Sequence, residues 1–368
     1  MRIKRVIKKK AIIEVGFAWI FILIAGVAIL GLFVYITNNQ AGFFKNLITA
    51  NLLKDLNAIF VGATVSKDTA AIFSVPETRL TFACDSYGID GITHPLAGRI
   101  IFAPPFLKTN ELITWTKPWS LGFRITNFLF ITSPYVKYYV LHDSQHANIA
   151  NKIFDNLPDH LEKEIIPLAS TDPDKYIKNQ GYDRIHVLVV TNYYNPPISN
   201  NIYDPNDFRG YADNEIVFIY LVNAEDITET ILRGSILFKD KNQVLKYFLP
   251  DSPNPPLMQD TYDVSSVYAA FISGNQDVWQ CMMVRAYFKA RDVVRIYERR
   301  NQLLSLSMTA FPNCVNHYNN LIADEFTLMV NNLGEGAASP ELHLLKNNIV
   351  QFNYFNNNLE RLSCPLLY

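Results

Sequence analysis

The chain is short of the motifs that announce a chemistry. Neither GxGxxG nor GxxxxGK[ST] occurs, and no GxSxG elbow occurs either. Glycine-rich phosphate cradles and the serine-hydrolase turn are thereby excluded. Cysteine is scarce: the four present, Cys84, Cys281, Cys314 and Cys364, are too far apart for a CxxC redox or zinc pair. Residues 40–368 lack any N-x-[ST] triplet, so glycans of that type are not expected. Charge is low, 18% of 368 residues, and nearly balanced at a net of −1. Six of the 33 basic residues (Arg2, Lys4, Arg5, Lys8, Lys9, Lys10) stand in the first ten positions. Residues 11–39 carry no basic residue and one acid, Glu14. Residues 40–368 thus hold 27 basic against 33 acidic residues, a net of −6. Such a body lacks the positive field a nucleic-acid partner needs.

Apolar material is plentiful. Hydrophobic residues make up 49% and aromatic residues 13%, enough for folded cores. One stretch stands apart. Val15–Ile36 contains no charge, no Pro and no Asn or Gln. At 1.5 Å per residue it extends about 33 Å, matching a hydrocarbon core of about 30 Å. Only a helix satisfies its own backbone there, so a transmembrane helix is expected, with the lipid bilayer as its partner. Trp19 and Tyr35 suit the interfaces, and the preceding basic cluster places the N-terminus in the cytoplasm and residues 40–368 outside. A cleaved signal peptide would carry a shorter apolar region and a small-residue cleavage site, which TNNQAG matches poorly. No second stretch of 18 apolar residues exists.

The run KKKAIIEVGFAWIFILIAG resembles the N-termini of archaeal proteins with a class III, prepilin-like signal. The matching positions are Lys9 and Lys10, Ala11 as the small residue and Glu14 as the acid. A Gly followed by Gln is commoner at the processing point, where Ala11 and Ile12 stand here. The segments LLKDLNAIFVGATVSKDT, RLTFACD, RIIFAP and ITWTKPWSLGFRITNFLFITSP extend the likeness to uncharacterised archaeal single-pass membrane proteins, over roughly residues 8–135. The resemblance implies an anchored surface protein and no particular activity.

Periodicity divides the remainder into α+β and α/β segments. A basic leader (1–14) and the span (15–36) precede a juxtamembrane helix (37–60), interrupted by TNNQAG at 37–42. Its apolar positions Phe44, Ile48, Leu52 and Ile59 fit a stalk that packs in a filament, or a helix packed on its own ectodomain. Residues 61–135 alternate as short strands, with Leu80, Phe82 and Cys84 on one face, and form a small β-rich subdomain. Residues 136–250 alternate strand and helix with continuous apolar strands, which predicts an α/β sandwich with a partly parallel sheet. Here NPPISNNIYDPND (195–207) reads as a loop and NQVLKYFL as a helix. DSPNPP (251–256) is a linker. Residues 257–368 are helical and end in a hairpin, whose last helix starts at Ser339 and Pro340. Leu342, Leu345, Ile349, Phe352 and Leu359 form its seam, with Asn356 in it.

His142-Asp143-Ser144-Gln145-His146 is the one dense group of catalytic types. Two His at i and i+4 with an intervening acid resemble a zinc-protease helix, but the acid is Asp and the segment follows the strand VKYYVL. His142, Asp143 and His146 are the nearest approach to a metal set. The competing reading is a loop that caps the next helix through Asp143 or Ser144. Because the loop follows a parallel strand, a ligand crevice there is a third reading. Asp172, Asp174 and Asp183 lack calcium-loop spacing. Arg291, Arg295 and Arg299, with Arg300 beside them, form a helical stripe that suits either a polyanion or a solvated face pairing with Glu298 and Asp292. No catalytic residue, metal or cofactor is specified.

Four cysteines outside a membrane are an even number in a compartment that permits bridges. A hairpin of two similar helices would bring Cys314 beside Cys364, so a disulfide is expected there, the alternative being buried free thiols. Cys84 and Cys281 could pair by default. The functional expectation is a non-enzymatic, membrane-anchored, extracytoplasmic protein with a structural, adhesion or assembly role and protein partners at the cell surface. The alternatives are a minor-pilin-like subunit of a filament or secretion apparatus, and an anchored receptor or hydrolase using the crevice near His142.

Overall fold

The computed structural model describes residues 10–66, 68–170, 172, 176–178, 181–193, 198, 202–226, 232–242, 259–261, 263–333 and 342–368, with side chains except at 10–21, 37–48, 225–226, 232–233, 259–261, 320–321, 323 and 342–346. The chain divides into two units, Met1–Leu56 and Asn57–Tyr368.

Helix α1 runs from Lys10 to Val65 without a break. The interruption expected at 37–42 does not occur. Asn, Gln and Gly weaken a helix, but only proline removes the donor and clashes with the preceding turn, and α1 contains none. Among the described residues no helix is long and apolar enough to cross a membrane. Residues 15–21 of the expected span lie outside the described side chains. Within 22–36 the large apolar side chains are exposed, Leu23 and Leu30 at 68% and Phe33 at 64%.

In the second unit, the first sheet comprises β1 (Ala70–Phe82), β2 (Ser86–Ile89), β3 (Ile92–Pro95), β4 (Ile101–Phe102), β5 (Phe106–Leu121) and β6 (Phe123–Thr132). Their order is β3-β2-β1-β5-β6-β4. The long β1–β5 and β5–β6 ladders are antiparallel, while β4 joins β6 in parallel. The β1–β5 register shifts between Ser74 and Thr78, where Pro76 has no N–H to give the ladder. Leu80 and Phe82 are buried as their alternation predicts, and Cys84 lies just past the strand. Phe102, Trp115, Trp119, Phe128 and Phe130 form the aromatic core of this sheet, with ring centroids 4.7 Å apart for Trp115–Phe130 and 4.9 Å for Phe102–Phe128.

The second sheet comprises β7 (Val136–His142), β8 (Glu162–Pro167), β9 (Arg184–Thr191), β10 (Ile216–Asp226), β11 (Leu232–Lys239) and β12 (Gln259–Thr261), in the order β12-β11-β10-β9-β7-β8. Four of its strands, β8, β7, β9 and β10, pair in parallel. Helix α2 (Ala147–Asp155) connects β7 to β8. Every residue of β7 and β9 is buried, as two covered faces require. One face carries Tyr139, Leu141, Val187, Val189, Phe218 and Tyr220, which pack on Ile177, Ile202, Tyr203 and Phe208 from the connecting segments. The other face meets α3 (Val264–Ser273).

Helix α3 is the link between the sheets. Tyr268 sits 4.8 Å from Trp115 of the first sheet, and Phe271 sits 5.1 Å from Tyr138 of the second. Asp263 caps the helix, accepting from the Ser265 N–H, and Gly274 ends it in the left-handed conformation. Helix α4 (Gln276–Ser307) continues the packing through Trp279 on Phe238 and Tyr287 on Trp119. The helical region therefore belongs to the same compact unit as both sheets.

The chain ends with α5 (Pro312–Asn316), a π-helical stretch (His317–Ile322), α6 (Ala323–Asn332) and α7 (Leu342–Arg361). Ile349, Phe352 and Leu359 are buried along the expected seam. Asn356 in that seam accepts from the Leu367 N–H and donates to the Tyr368 carbonyl, pinning the tail. The helix read at 242–249 lies outside the described residues beyond Asn242, as do the linker at 251–256 and the start at Ser339 and Pro340. The side chains of Leu342 and Leu345 lie outside them too.

Candidate functional site

The order β8-β7-β9-β10 places a topological switch between β7 and β9. The connection after β7 runs to β8 on one side, and the one after β9 runs to β10 on the other. Open α/β sheets bind ligands in the crevice such a reversal creates. His142 ends β7, and the next four residues form its loop.

Hydrogen bonding within that loop is dense. One carboxylate oxygen of Asp143 accepts from the Gln145 N–H and the His146 N–H, both at 3.0 Å. The same oxygen lies 2.7 Å from His146 Nδ1. An ionised carboxylate only accepts, so Nδ1 carries the proton. Thr191, at the end of β9, also bonds this carboxyl group. Burial pushes the Asp143 carboxyl up, but the His146 ring, the His146 N–H and Thr191 together hold it below its ordinary value. His142 Nδ1 donates to the Asp143 carbonyl at 2.8 Å. Asn192 donates to the Gln145 side chain across the switch.

The arrangement is a self-contained knot that ties β7 to β9. Asp143 does cap backbone donors, but one step ahead of the helix: the N-cap position of α2 falls to His146, whose side chain makes no capping bond. Neither Asp143 nor Ser144 occupies that position. The reason is that Asp143 folds the loop back on itself before α2 begins at Ala147. Among the described residues no group of three or more His, Cys, Asp or Glu could hold a metal ion. His142, Asp143 and His146 are thus neighbours engaged with one another and with the backbone.

A buried histidine that sequence inspection passes over lies deeper. His186, in β9, is fully enclosed, and its Nδ1 donates to the Phe271 carbonyl at 2.8 Å. Among the described residues its Nε2 has no hydrogen-bond partner. Burial, with the Arg184 charge adding to it, pushes its pKa down to about 3, so the ring is neutral. Gly274 packs against the ring so closely that an added Cβ would lie 2.2 Å from it. This contact is structural: it seats the end of α3 on the second sheet.

The arginine stripe of α4 is engaged locally. The Arg291 guanidinium lies 5.1 Å from the Phe288 ring centroid, Arg299 bonds Gln302, and Arg300 bonds the Leu366 carbonyl. All four cysteines are bridged. Cys314 and Cys364 pair with their Cα atoms 5.8 Å apart. Cys84 and Cys281 pair at the same Cα separation and tie the end of β1 to α4.

At the opposite end of the second sheet from His142 lies a polar cavity of about 350 Å³. Glu77 comes from β1, Lys108, Thr109 and Asn110 from β5, Tyr135 from the turn before β7, and Gly181 and Asp183 from the approach to β9. The two sheets thus meet around it. Its residues are spread from Glu77 to Asp183 and share no motif, so no sequence signal points to it. Comparison with protein-family models, curated proteins and solved structures finds no match for this chain.

Proposed function

We propose that this is a membrane-anchored, extracytoplasmic surface protein, held in the bilayer through residues 15–36, with a structural, adhesion or assembly role and no catalysis. The observation that carries this reading is the exposure of the apolar side chains over 22–36 of α1, on every side of the helix. A helix apolar all round needs a non-aqueous surrounding, either protein or lipid. The six basic residues before it favour a cytoplasmic N-terminus. Two disulfides favour an oxidising compartment for residues 57–368. Protease added to intact cells or spheroplasts should degrade a C-terminal tag while the chain pellets with membranes. Full protection of a tag that becomes cleavable after lysis would overturn the orientation.

The unbroken course of α1 supports a second reading, a minor-pilin-like subunit whose long helix packs in an assembly. Mass spectrometry of the purified N-terminus discriminates: an intact leader over residues 1–10 counts against it.

A further inference from the structure

We propose that the cavity between the two sheets is a binding site for a neutral carbohydrate, one sugar unit of a larger glycan. The argument begins with the lining. Tyr135 lines the cavity and is 41% exposed. Its hydroxyl donates to Asn110 Oδ1 at 3.0 Å, which fixes the ring against β5 and turns the amide –NH2 of Asn110 away from that bond. The Asp183 main chain is fixed too, its N–H donating to the Tyr135 carbonyl at 2.9 Å. The exposed Asp183 carboxylate acts through space on the Arg184 guanidinium and the Tyr211 hydroxyl, and among the described residues it accepts no hydrogen bond. Across the cavity, Lys108 and Glu77 are paired at 3.3 Å.

Among the described residues the wall therefore offers a carboxylate and an amide –NH2 that make no hydrogen bond, an ion pair able to give and accept, and an aromatic side chain. Each ligand class meets this differently. An anion meets the Glu77 and Asp183 carboxylates, an ammonium already paired with Glu77, and the Arg184 guanidinium, whose donors go to the Phe106 and Asn214 carbonyls. A metal ion lacks a set of three ligands among the described residues. An apolar ligand would strip water from charged groups and return nothing. A sugar hydroxyl both donates and accepts, so it can satisfy Asp183 and Asn110 together. The C–H face of the same ring stacks on an aromatic such as Tyr135. The volume suits one sugar unit, at the small end of ordinary ligand sites. The rest of a glycan would lie outside, since the cavity opens beside exposed Glu77, Lys108 and Asp183. The site fits an adhesion role but does not depend on the membrane reading, because every lining residue belongs to the unit Asn57–Tyr368.

The test is saturation-transfer NMR on the full-length chain in a zwitterionic detergent without a sugar headgroup, using glucose, galactose, mannose and their N-acetyl derivatives as probes. A ligand of about a dozen heavy atoms should bind near the millimolar range. At least one probe is expected to receive saturation, and Asp183→Ala and Tyr135→Ala should each weaken it about tenfold, the loss of a hydrogen bond to a charged group or of a stacking face. Asp292→Ala, on α4, should leave binding unchanged. Asn110→Ala serves as the third variant if either of the first two fails to fold. The proposal is overturned if the folded protein shows no transfer to any probe at about tenfold above the millimolar range. It is equally overturned if sugar binding survives the cavity variants undiminished, or if tetramethylammonium occupies the site in preference to every sugar.

Discussion

Two helical stretches of this chain have nearly the same chemistry and opposite surroundings. Residues 22–36 of α1 are apolar on all sides, and their large side chains are exposed at 38% or more. Residues 265–273 of α3 are also dominated by apolar side chains, and every one of them is buried. Helix α3 is enclosed by protein: Trp115 lies on one flank and Tyr138 on the other. The stretch of α1 carries no Asp, Glu, His, Lys or Arg, whereas α3 is flanked by Asp263 and, at its end, by the ring of His186. The difference teaches where hydrophobicity becomes informative. In α3 it is answered by complementary packing and by polar groups placed at the helix ends. In α1 the described large side chains over 22–36 are exposed, and lipid is the surrounding we propose for them.

The comparison breaks if a charge is equally tolerated or equally destructive in both stretches. Ala270→Asp in α3 places an unpaired carboxylate and extra atoms at a fully buried position. It should destabilise the second unit by about 5 kcal/mol or more. Ala28→Asp with Leu32→Asp in α1 should leave the thermal unfolding of that unit unchanged, because both positions are exposed. The pair should instead release the chain from membranes, each acid opposing insertion by about 3 kcal/mol. Calorimetry and membrane flotation together decide. Unfolding caused by the α1 pair, or flotation unaffected by it, would remove the distinction between the two helices.

How much of this was legible in the sequence follows the range of the interactions. The parallel strands of the second sheet were visible because two covered faces make continuous apolar runs, as in Arg184–Thr191, whereas β12 (Gln259–Thr261) falls in the stretch 257–368 expected to be helical and has no such run. The end of α3 was visible at Gly274, whose left-handed conformation suits a residue without a Cβ. The Cys314–Cys364 proximity followed from local helix lengths. The continuity of α1 is not legible because Asn, Gln and Gly at 37–42 are weak helix formers, although none of them removes a backbone donor. The wedging of α3 between the sheets, the neutral His186 and the cavity from Glu77 to Asp183 were not visible. Each rests on side chains brought together from distant segments, and no spacing rule encodes such a meeting. The cluster at His142 was conspicuous for the opposite reason: its residues are adjacent in sequence, and in the structure Nδ1 of both His and the Asp143 carboxyl bond within the loop, with Thr191 of β9 joining the Asp143 carboxyl.

Covalent ties belong to one side of the comparison only, which gives a second, smaller test. Cys314 and Cys364 are separated by 50 residues. Closing such a loop removes chain entropy worth about 4 kcal/mol, and bridges of this kind usually deliver about 2–4. The double variant Cys314→Ser with Cys364→Ser should lower the stability of the second unit by that amount, read from the denaturant midpoint at unchanged slope. Membrane flotation should not change, since the tie lies outside α1. Alkylatable thiol at both positions in protein isolated under oxidising conditions would show that the bridge does not form.

The smallest expected effect is the pH dependence between 6.5 and 5 that two groups at the ends of α3 contribute. Asp263 is buried and accepts from the Ser265 and Ser120 N–H groups. Burial nevertheless pushes its pKa up to about 6, from an ordinary 3.8. Its native state therefore holds a proton more tightly than the unfolded chain, and the stability this contributes is fully present below pH 3.8 and lost as pH rises to about 6. His186 has the opposite sign. Its pKa falls from 6.5 to about 3, so its contribution is fully present above pH 6.5 and lost as pH falls toward 3. A tenfold change in proton affinity is worth about 1.4 kcal/mol. From pH 6.5 to 5, His186 takes away about 2 kcal/mol and Asp263 returns about 1.4, a net loss of roughly 1 kcal/mol or less. Asp263→Asn keeps a capping side chain and removes the returning contribution. Over the same interval the variant should lose stability more steeply than the parent, by about 1 kcal/mol. Denaturant midpoints at pH 6.5 and 5 measure the difference, in which titrations common to both proteins cancel. A variant that is flatter than the parent would mean that the Asp263 carboxyl is held ionised in the folded protein, with its two N–H donors outweighing its burial.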